Sequence, residues 1–360
     1  MKVPVKQRRV AIVVCANGLG HFVRTLHIAS ELLSRAHAVT LTIVASEWQL
    51  QVLAEWPMLV RFRSDARVSI VCASLYPRWS TAKTYFDDPS ILDWHAALAA
   101  LHLDAYDLVL SDNLVETLRY SPRTLLVGSF LWHDVYSTHR PDSTVMQEYR
   151  RRCASLLEER GASMIASKYF AMPAVVRETR CVGVGILPSV LNRRPRRKKA
   201  PPTVLVTGSP YSPVVDATAS LLEDCCRHLA ECGLEVLIEK RLASIVRVPS
   251  AARVFDYHLD DFAEIGAIVG RPGMGTITDC MATATPLFCL PESNPEMAHN
   301  TERLETLGLG WRLPVDDGQM RTVSSVLTDA SARQRFRRQM ARIDLDGLET
   351  AVSTILRYLE

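Results

Sequence analysis

One pattern occurs twice in this sequence: a short run of apolar, mostly β-branched residues, then a glycine turn, then a segment with helical spacing. In the first half, Val10-Ala-Ile-Val-Val-Cys15 is apolar at every position, as a strand covered on both faces requires. Leu26, Ala29, Leu32 and Leu33 then share one face of a helix expected from Phe22 to Arg35. Val39–Ala45 predicts the next strand and Ser46 to about Trp56 the next helix, with further strands at Arg67–Cys72, Asp107–Ser111 and Thr124–Gly128. The alternation stops between Pro188 and Pro202, a stretch with four prolines, a basic cluster and no apolar period. It restarts with strands at Thr203–Thr207, Leu234–Ile238, Arg253–Phe255, Ala267–Val269 and Leu287–Leu290, and a helix at about Val214–Glu231. Helices from about Ser324 to Glu360 close the chain.

Strands alternating with helices argue an α/β chain with parallel sheets covered on both faces. The length of 360 residues allows two such domains. The expected division is 1–187, a basic proline-rich linker at 188–202, and 203–360. Two doubly wound, Rossmann-like halves of this kind hold ligands in the cleft at the carboxyl ends of their strands. Composition narrows the function. A net charge of only +3 gives no reason to expect a nucleic-acid partner, and the cluster Arg193–Lys199 lacks interleaved aromatics for base stacking. The nine cysteines form no Cys-x-x-Cys pair and sit mostly in apolar runs, as in a reducing compartment. No apolar run reaches membrane-spanning length, and Val10–Ala16 is too short for the core of a signal peptide. A cytoplasmic protein without stable membrane insertion, monomeric or homodimeric, is expected.

Chemistry concentrates in Gly270-Arg-Pro-Gly-Met-Gly-Thr-Ile-Thr-Asp-Cys280, between a strand and a helix. Gly273 and Gly275 let a backbone approach a ligand, and a helix start near Gly275 offers free N–H groups and a positive dipole end to a diphosphate. Arg271 would add a full charge, Met274 and Thr276 flank the turn, and Asp279 offers an acceptor to ribose hydroxyls. A tight turn before any helix has the same composition, so this segment alone decides little.

The order that follows adds weight: an apolar strand, then Glu296, Met297 and Asn300, then Gly308-Leu-Gly310. From Thr203 to Trp311 this resembles the donor-binding signature of glycosyltransferases with the two-Rossmann-domain (GT-B) fold, among them natural-product UDP-glycosyltransferases and the N-acetylglucosaminyltransferase branch of peptidoglycan synthesis. In that signature Arg271-Pro272 stand for a usual His-Gly, Thr285 for a Gly, Asp279 for a Glu, and Glu296-Met297 for Asp-Gln. The resemblance implies a UDP-sugar donor and no cofactor. It places Gly20, Gly208 and Ser209 with the donor set, Phe255 and Tyr257 beside the base, and Glu296 and Asn300 toward the sugar.

The amino-terminal half adds Asn17-Gly-Leu-Gly-His21, which resembles the Gly-x-Gly-His turn of the same superfamily, and Asp107-Leu-Val-Leu-Ser-Asp112, which resembles its strand-end aspartate. The resemblance implies that His21 is the general base and that Asp112 orients it. Arg24, Trp132 and His133 are candidates to line the acceptor site, although a surface Arg and a packed Trp would look alike. Asp344-Leu-Asp346 is an Asp-x-Asp, but it opens the last helix, where capping explains it. No metal site is expected. The expected reaction is an inverting, metal-independent transfer from a UDP-sugar to a small acceptor, a specialised metabolite of natural-product biosynthesis or a nucleobase such as cytosine. A nucleotide-sugar hydrolase of the same fold and a non-catalytic sugar-nucleotide sensor stay open, as do the sugar and the acceptor.

Overall fold

The computed structural model describes residues 7–73, 75, 83–187, 203–208, 215–247, 252–256, 262, 265–313, 323, 326–327 and 329–360. The chain divides into two compact units, Met1–Leu187 with Asp346–Glu360, and Pro188–Leu345. The basic stretch expected to link the halves, 188–202, lies outside the described residues.

The first unit is built on β1 (Arg8–Val13), α1 (Leu19–Arg35), β2 (Val39–Ala45), α2 (Glu47–Val52), α3 (Pro57–Ser64) and β3 (Val68–Cys72). Short 3₁₀ turns lead to β4 (Leu108–Asp112), and β5 (Thr124–Val127), α4 (Trp132–His139), α5 (Thr144–Arg160), β6 (Ser163–Ser167), α6 (Pro173–Glu178) and β7 (Arg180–Val184) follow. Its strands form one parallel sheet in the order β3-β2-β1-β4-β5-β6-β7. The apolar run after Arg9 is explained by burial on both sides. Val10, Ile12 and Val14 meet Phe22, Leu26 and Leu32 of α1, whereas Ala11, Val13 and Cys15 join the core under α4 and α5. Strand order reverses between β1 and β4, so the chain leaves these neighbours toward opposite faces. The gap this opens at their carboxyl ends is where doubly wound sheets bind ligands.

The second unit holds β8 (Thr203–Val206), α7 (Val215–Glu231), β9 (Glu235–Glu239), β10 (Arg253–Phe255), β11 (Ala267–Gly270), α8 (Met274–Thr283), β12 (Leu287–Cys289), α9 (Pro295–Leu307), β13 (Gly310–Arg312) and α10 (Ala330–Met340). Its parallel sheet runs β10-β9-β8-β11-β12-β13 and reverses between β8 and β11. A glycine is needed at the end of β11, because a Cβ on Gly270 would stand 2.7 Å from Thr207 Cγ2.

The last helix, α11 (Gly347–Leu359), was expected with the second half and packs on the first instead. Its Leu348, Ala351, Val352, Ile355 and Leu359 are buried in one core with Leu26, Ala29 and Leu33 of α1, so the apolar stripe of the helix is covered there. Gly347 N–H donates to Ile186 O at 3.1 Å, and a Cβ on Gly347 would stand 2.4 Å from Gly185 O and 2.5 Å from Ile186 O. Both obstacles are backbone. Gly347→Ala is therefore expected to destabilise the first unit by about 1–3 kcal/mol, read as a lower midpoint in chemical denaturation. An unchanged midpoint would show that α11 contributes nothing through this contact.

Candidate active site

The turn between β1 and α1 depends on Gly18, whose φ of 109° lies where side chains are disfavoured. Gly18 is the N-cap of α1; no side chain caps it and no acidic residue stands in its first turn. The turn is held from α2. Gln49, fully buried, donates its amide to Cys15 O and Gly18 O, both at 2.9 Å, and accepts from Ser46 Oγ at 2.9 Å. Trp48 Nε1 donates to Ala16 O at 3.1 Å. Sequence reasoning missed this clamp, although Ser46-x-x-Gln49 is a readable capping box.

His21 is the third residue of α1, inside the first helical turn rather than on the glycine turn before it, and Gly20 beside it is exposed. Its Nδ1 lies 2.9 Å from Asp112 Oδ2, the last residue of β4 on the neighbouring strand. The His21 side chain keeps 13% of its surface and that of Asp112 keeps none. Arg24, one helical turn beyond His21, donates Nη2 to the other oxygen, Asp112 Oδ1. It was expected to meet an acceptor; the structure joins it to Asp112, because a fully buried carboxylate requires a charge partner. Burial pushes the Asp112 carboxyl up, but Arg24 and His21 outweigh it and hold the group below the usual carboxylate range. With Asp112 ionised, the His21 Nδ1 hydrogen points at it and Nε2 carries the free lone pair.

Phe130 meets the His21 ring edge-on at 5.9 Å, and Trp132 lies tilted at 6.2 Å. Trp132 is itself buried against Phe130 and Tyr136, so it walls the histidine as part of the core. His133 does not line an open site: it is buried, with Nε2 2.8 Å from Glu178 Oε2, a hydrogen bond that fastens α4 to α6. Asn113, next to Asp112, has a φ of 60°, and its Oδ1 lies 1.3 Å from where a Gly128 Cβ would be. The end of β4 thus depends on a glycine at the end of β5, a long-range relation no local pattern reports.

In the second unit, α8 starts at Met274 with Gly273 as N-cap, without a side-chain cap or an acidic residue in the first turn. Around Gly273 a Cβ would meet nothing within 4 Å, Gly275 is exposed, and Met274 and Thr276 are half-buried. Such a helix end presents unpaired N–H groups to an anion. By contrast, α9 is capped by Asn294, which accepts from Glu296 N at 2.8 Å.

Several expected donor contacts do other work. The Arg271 guanidinium is engaged by Glu292, with Nε–Oε2 2.5 Å and Nη2–Oε1 2.8 Å, so it braces the turn and is not a free charge for phosphate. Asn300 is buried and donates Nδ2 to Pro272 O at 2.9 Å, fixing the same turn. Gly208 is buried where a Cβ would press on Leu222 at 3.0 Å, which makes its smallness a packing requirement. Phe255 packs edge-on against Phe262 at 5.9 Å, inside the unit. Asp279 is the sixth residue of α8, just past its first turn, and is buried, and Glu296 is buried in the first turn of α9. Ser209 and Tyr257 lie outside the described residues.

Among the described residues no group of three or more His, Cys, Asp or Glu side chains is placed to hold a metal ion, and no helix is long and apolar enough to cross a membrane. No protein-family model and no curated protein matches the chain. Solved structures do. The glycotransferase of kitacinnamycin is 18% identical over 99% of this chain and 100% of that one, with a TM-score of 0.67. The calicheamicin glycosyltransferase CalG4 is 18% identical over 99% of each chain, with a TM-score of 0.68. Medicago truncatula UGT71G1, complexed with UDP-glucose, is 13% identical over 98% of this chain and 99% of that one, with a TM-score of 0.64. The chain therefore has the two-Rossmann-domain, GT-B fold of these glycosyltransferases.

Proposed function

We propose that the protein is a cytoplasmic glycosyltransferase that moves a sugar from a UDP-sugar to a small acceptor with inversion and without a metal. The observation that carries this reading is the His21–Asp112 pair at the strand reversal of the first sheet, 2.9 Å apart, with His21 Nε2 left as a base. Within the second unit, the uncapped start of α8 after Gly273 follows β11, at that sheet's own reversal, and supports a diphosphate as ligand of that unit. In the reaction the acceptor attacks the anomeric carbon, the bond from that carbon to the diphosphate oxygen breaks, and its electron pair leaves with UDP. The acceptor's proton goes to His21 Nε2. The first-turn N–H groups of α8 stabilise the charge that develops on the diphosphate. A fold neighbour solved with UDP-glucose supports the choice of donor.

Two measurements test the reading. The first is UDP release from UDP-glucose with and without a panel of acceptors, where release with water alone would make the protein a hydrolase. The second uses Gly275→Glu. Gly275 is exposed in the first turn of α8, where a carboxylate favours the helix but repels a diphosphate. UDP affinity by calorimetry should drop by about ten-fold or more, roughly 1.4 kcal/mol, with no loss of thermal stability. Unchanged affinity would remove the α8 end from the donor site.

A further inference from the structure

We propose that Arg24 is a third member of the acceptor-activating group, and that by sharing Asp112 it fits His21 to acceptors with an acidic proton: phenols, enols, carboxylic acids or acidic ring N–H groups, not aliphatic alcohols. This rests on the reading of His21 as the base. The geometry is direct. Asp112 gives one oxygen to His21 Nδ1 and the other to Arg24 Nη2, and that Nη2 lies 3.5 Å from His21 Nδ1. Arg24 Nε is buried without a hydrogen-bond partner among the described residues, so Asp112 answers the charge of this guanidinium.

Charge counting gives the consequence. A histidine and aspartate alone carry one negative charge at rest and become neutral when the ring takes a proton. Here the group is neutral at rest, and proton uptake leaves one net positive charge beside an arginine. In a site walled by Phe130 and Trp132, and largely withdrawn from water, that difference is weakly screened. Proton uptake by His21 is therefore harder than in a two-member pair, and it becomes productive with an acceptor that gives up its proton readily.

Among the described residues, Arg24 and Asp112 are the charged side chains bonded at the His21 ring. Arg24 faces it from α1 and Asp112 from β4. From β1's end comes Cys15, whose thiol is pushed far up by burial and then by Asp112, and stays neutral. Phe130 and Trp132 are uncharged, as are the Gln49 and Trp48 side chains that hold the turn. Arg24 acts through Asp112 and is a positioning residue.

The test has two readouts on the full chain. In the free protein, the ¹³C,¹⁵N-histidine NMR titration of His21 is followed in wild type, Arg24→Met and Arg24→Lys. The midpoint should rise by about one pH unit or more in Arg24→Met, the usual effect of removing a like charge within 4–6 Å. Arg24→Lys should return it toward wild type. A midpoint unmoved by Arg24→Met overturns the proposal, whether or not any turnover is found. The second readout uses wild type alone, so it survives a variant that fails to fold. With UDP-glucose as donor, kcat/KM for a series of substituted phenols should exceed that for size-matched aliphatic alcohols by about 10²-fold or more. Equal rates, or a preference for the alcohols, overturn the acceptor class. If no acceptor of either class releases UDP and UDP does not bind, the glycosyltransferase reading has failed, and the titration still decides whether Arg24 controls His21.

Discussion

His21→Ala will lower the transfer rate by about 10²–10⁴-fold, the usual contribution of general-base catalysis, while UDP affinity stays near wild type. The two effects separate because His21 belongs to the first unit and the uncapped helix end to the second. Folding should survive, since the deletion leaves Asp112 paired with Arg24 and removes a ring that is partly exposed already. The loss should be smallest for the most acidic acceptors, which part with a proton unaided. Single-turnover kinetics with calorimetric UDP binding reads both quantities. Full activity with an alcohol acceptor would end the assignment of His21 as base. Loss of UDP binding would instead make His21 a donor-site residue.

The fold was legible because both sheets are buried on both faces. Val10–Cys15 is apolar throughout and Thr203–Thr207 has an apolar centre, Val204-Leu-Val206; their structured counterparts are Arg8–Val13 and Thr203–Val206. Strands β6 and β7 were not legible. Ser163-Met-Ile-Ala-Ser167 is short and mixed, and Arg180-Cys-Val-Gly-Val184 is an edge strand, largely half-exposed, so neither has a pattern of its own. Nor was the placement of α11, since periodicity reports that a helix has an apolar face and not which core will take it. At the site, the glycine turn and the strand-end aspartate could be read because each is a local motif. Arg24, Arg271, Asn300 and His133 were read as ligand contacts because polar residues near a motif look available in one dimension. In three dimensions each meets a partner far along the chain, respectively Asp112, Glu292, Pro272 and Glu178. Such pairings leave no trace in spacing.

Asp112→Ala is expected to harm stability more than any other single change at this site. Asp112 is fully buried between His21 and Arg24, so its removal leaves a guanidinium, with Nε already unpartnered, without its counter-charge. Breaking a buried pair from one side costs about 3–5 kcal/mol, which should appear as a large fall in the denaturation midpoint. Asp112→Asn keeps the shape and one acceptor oxygen and should cost less stability, but a neutral amide no longer fixes which ring nitrogen of His21 bears the hydrogen. Its rate should fall nonetheless. The decisive comparison is the double variant Arg24→Met with Asp112→Asn. It contains neither the unpaired cation nor the buried anion, so its stability should recover toward wild type. Its rate should not recover, because the nitrogen facing the acceptor is still unassigned. If stability and rate return together, Asp112 serves only to neutralise Arg24, and His21 works without an orienting partner. If Asp112→Ala is as stable as wild type, Arg24 has another partner and the three residues do not act as one group.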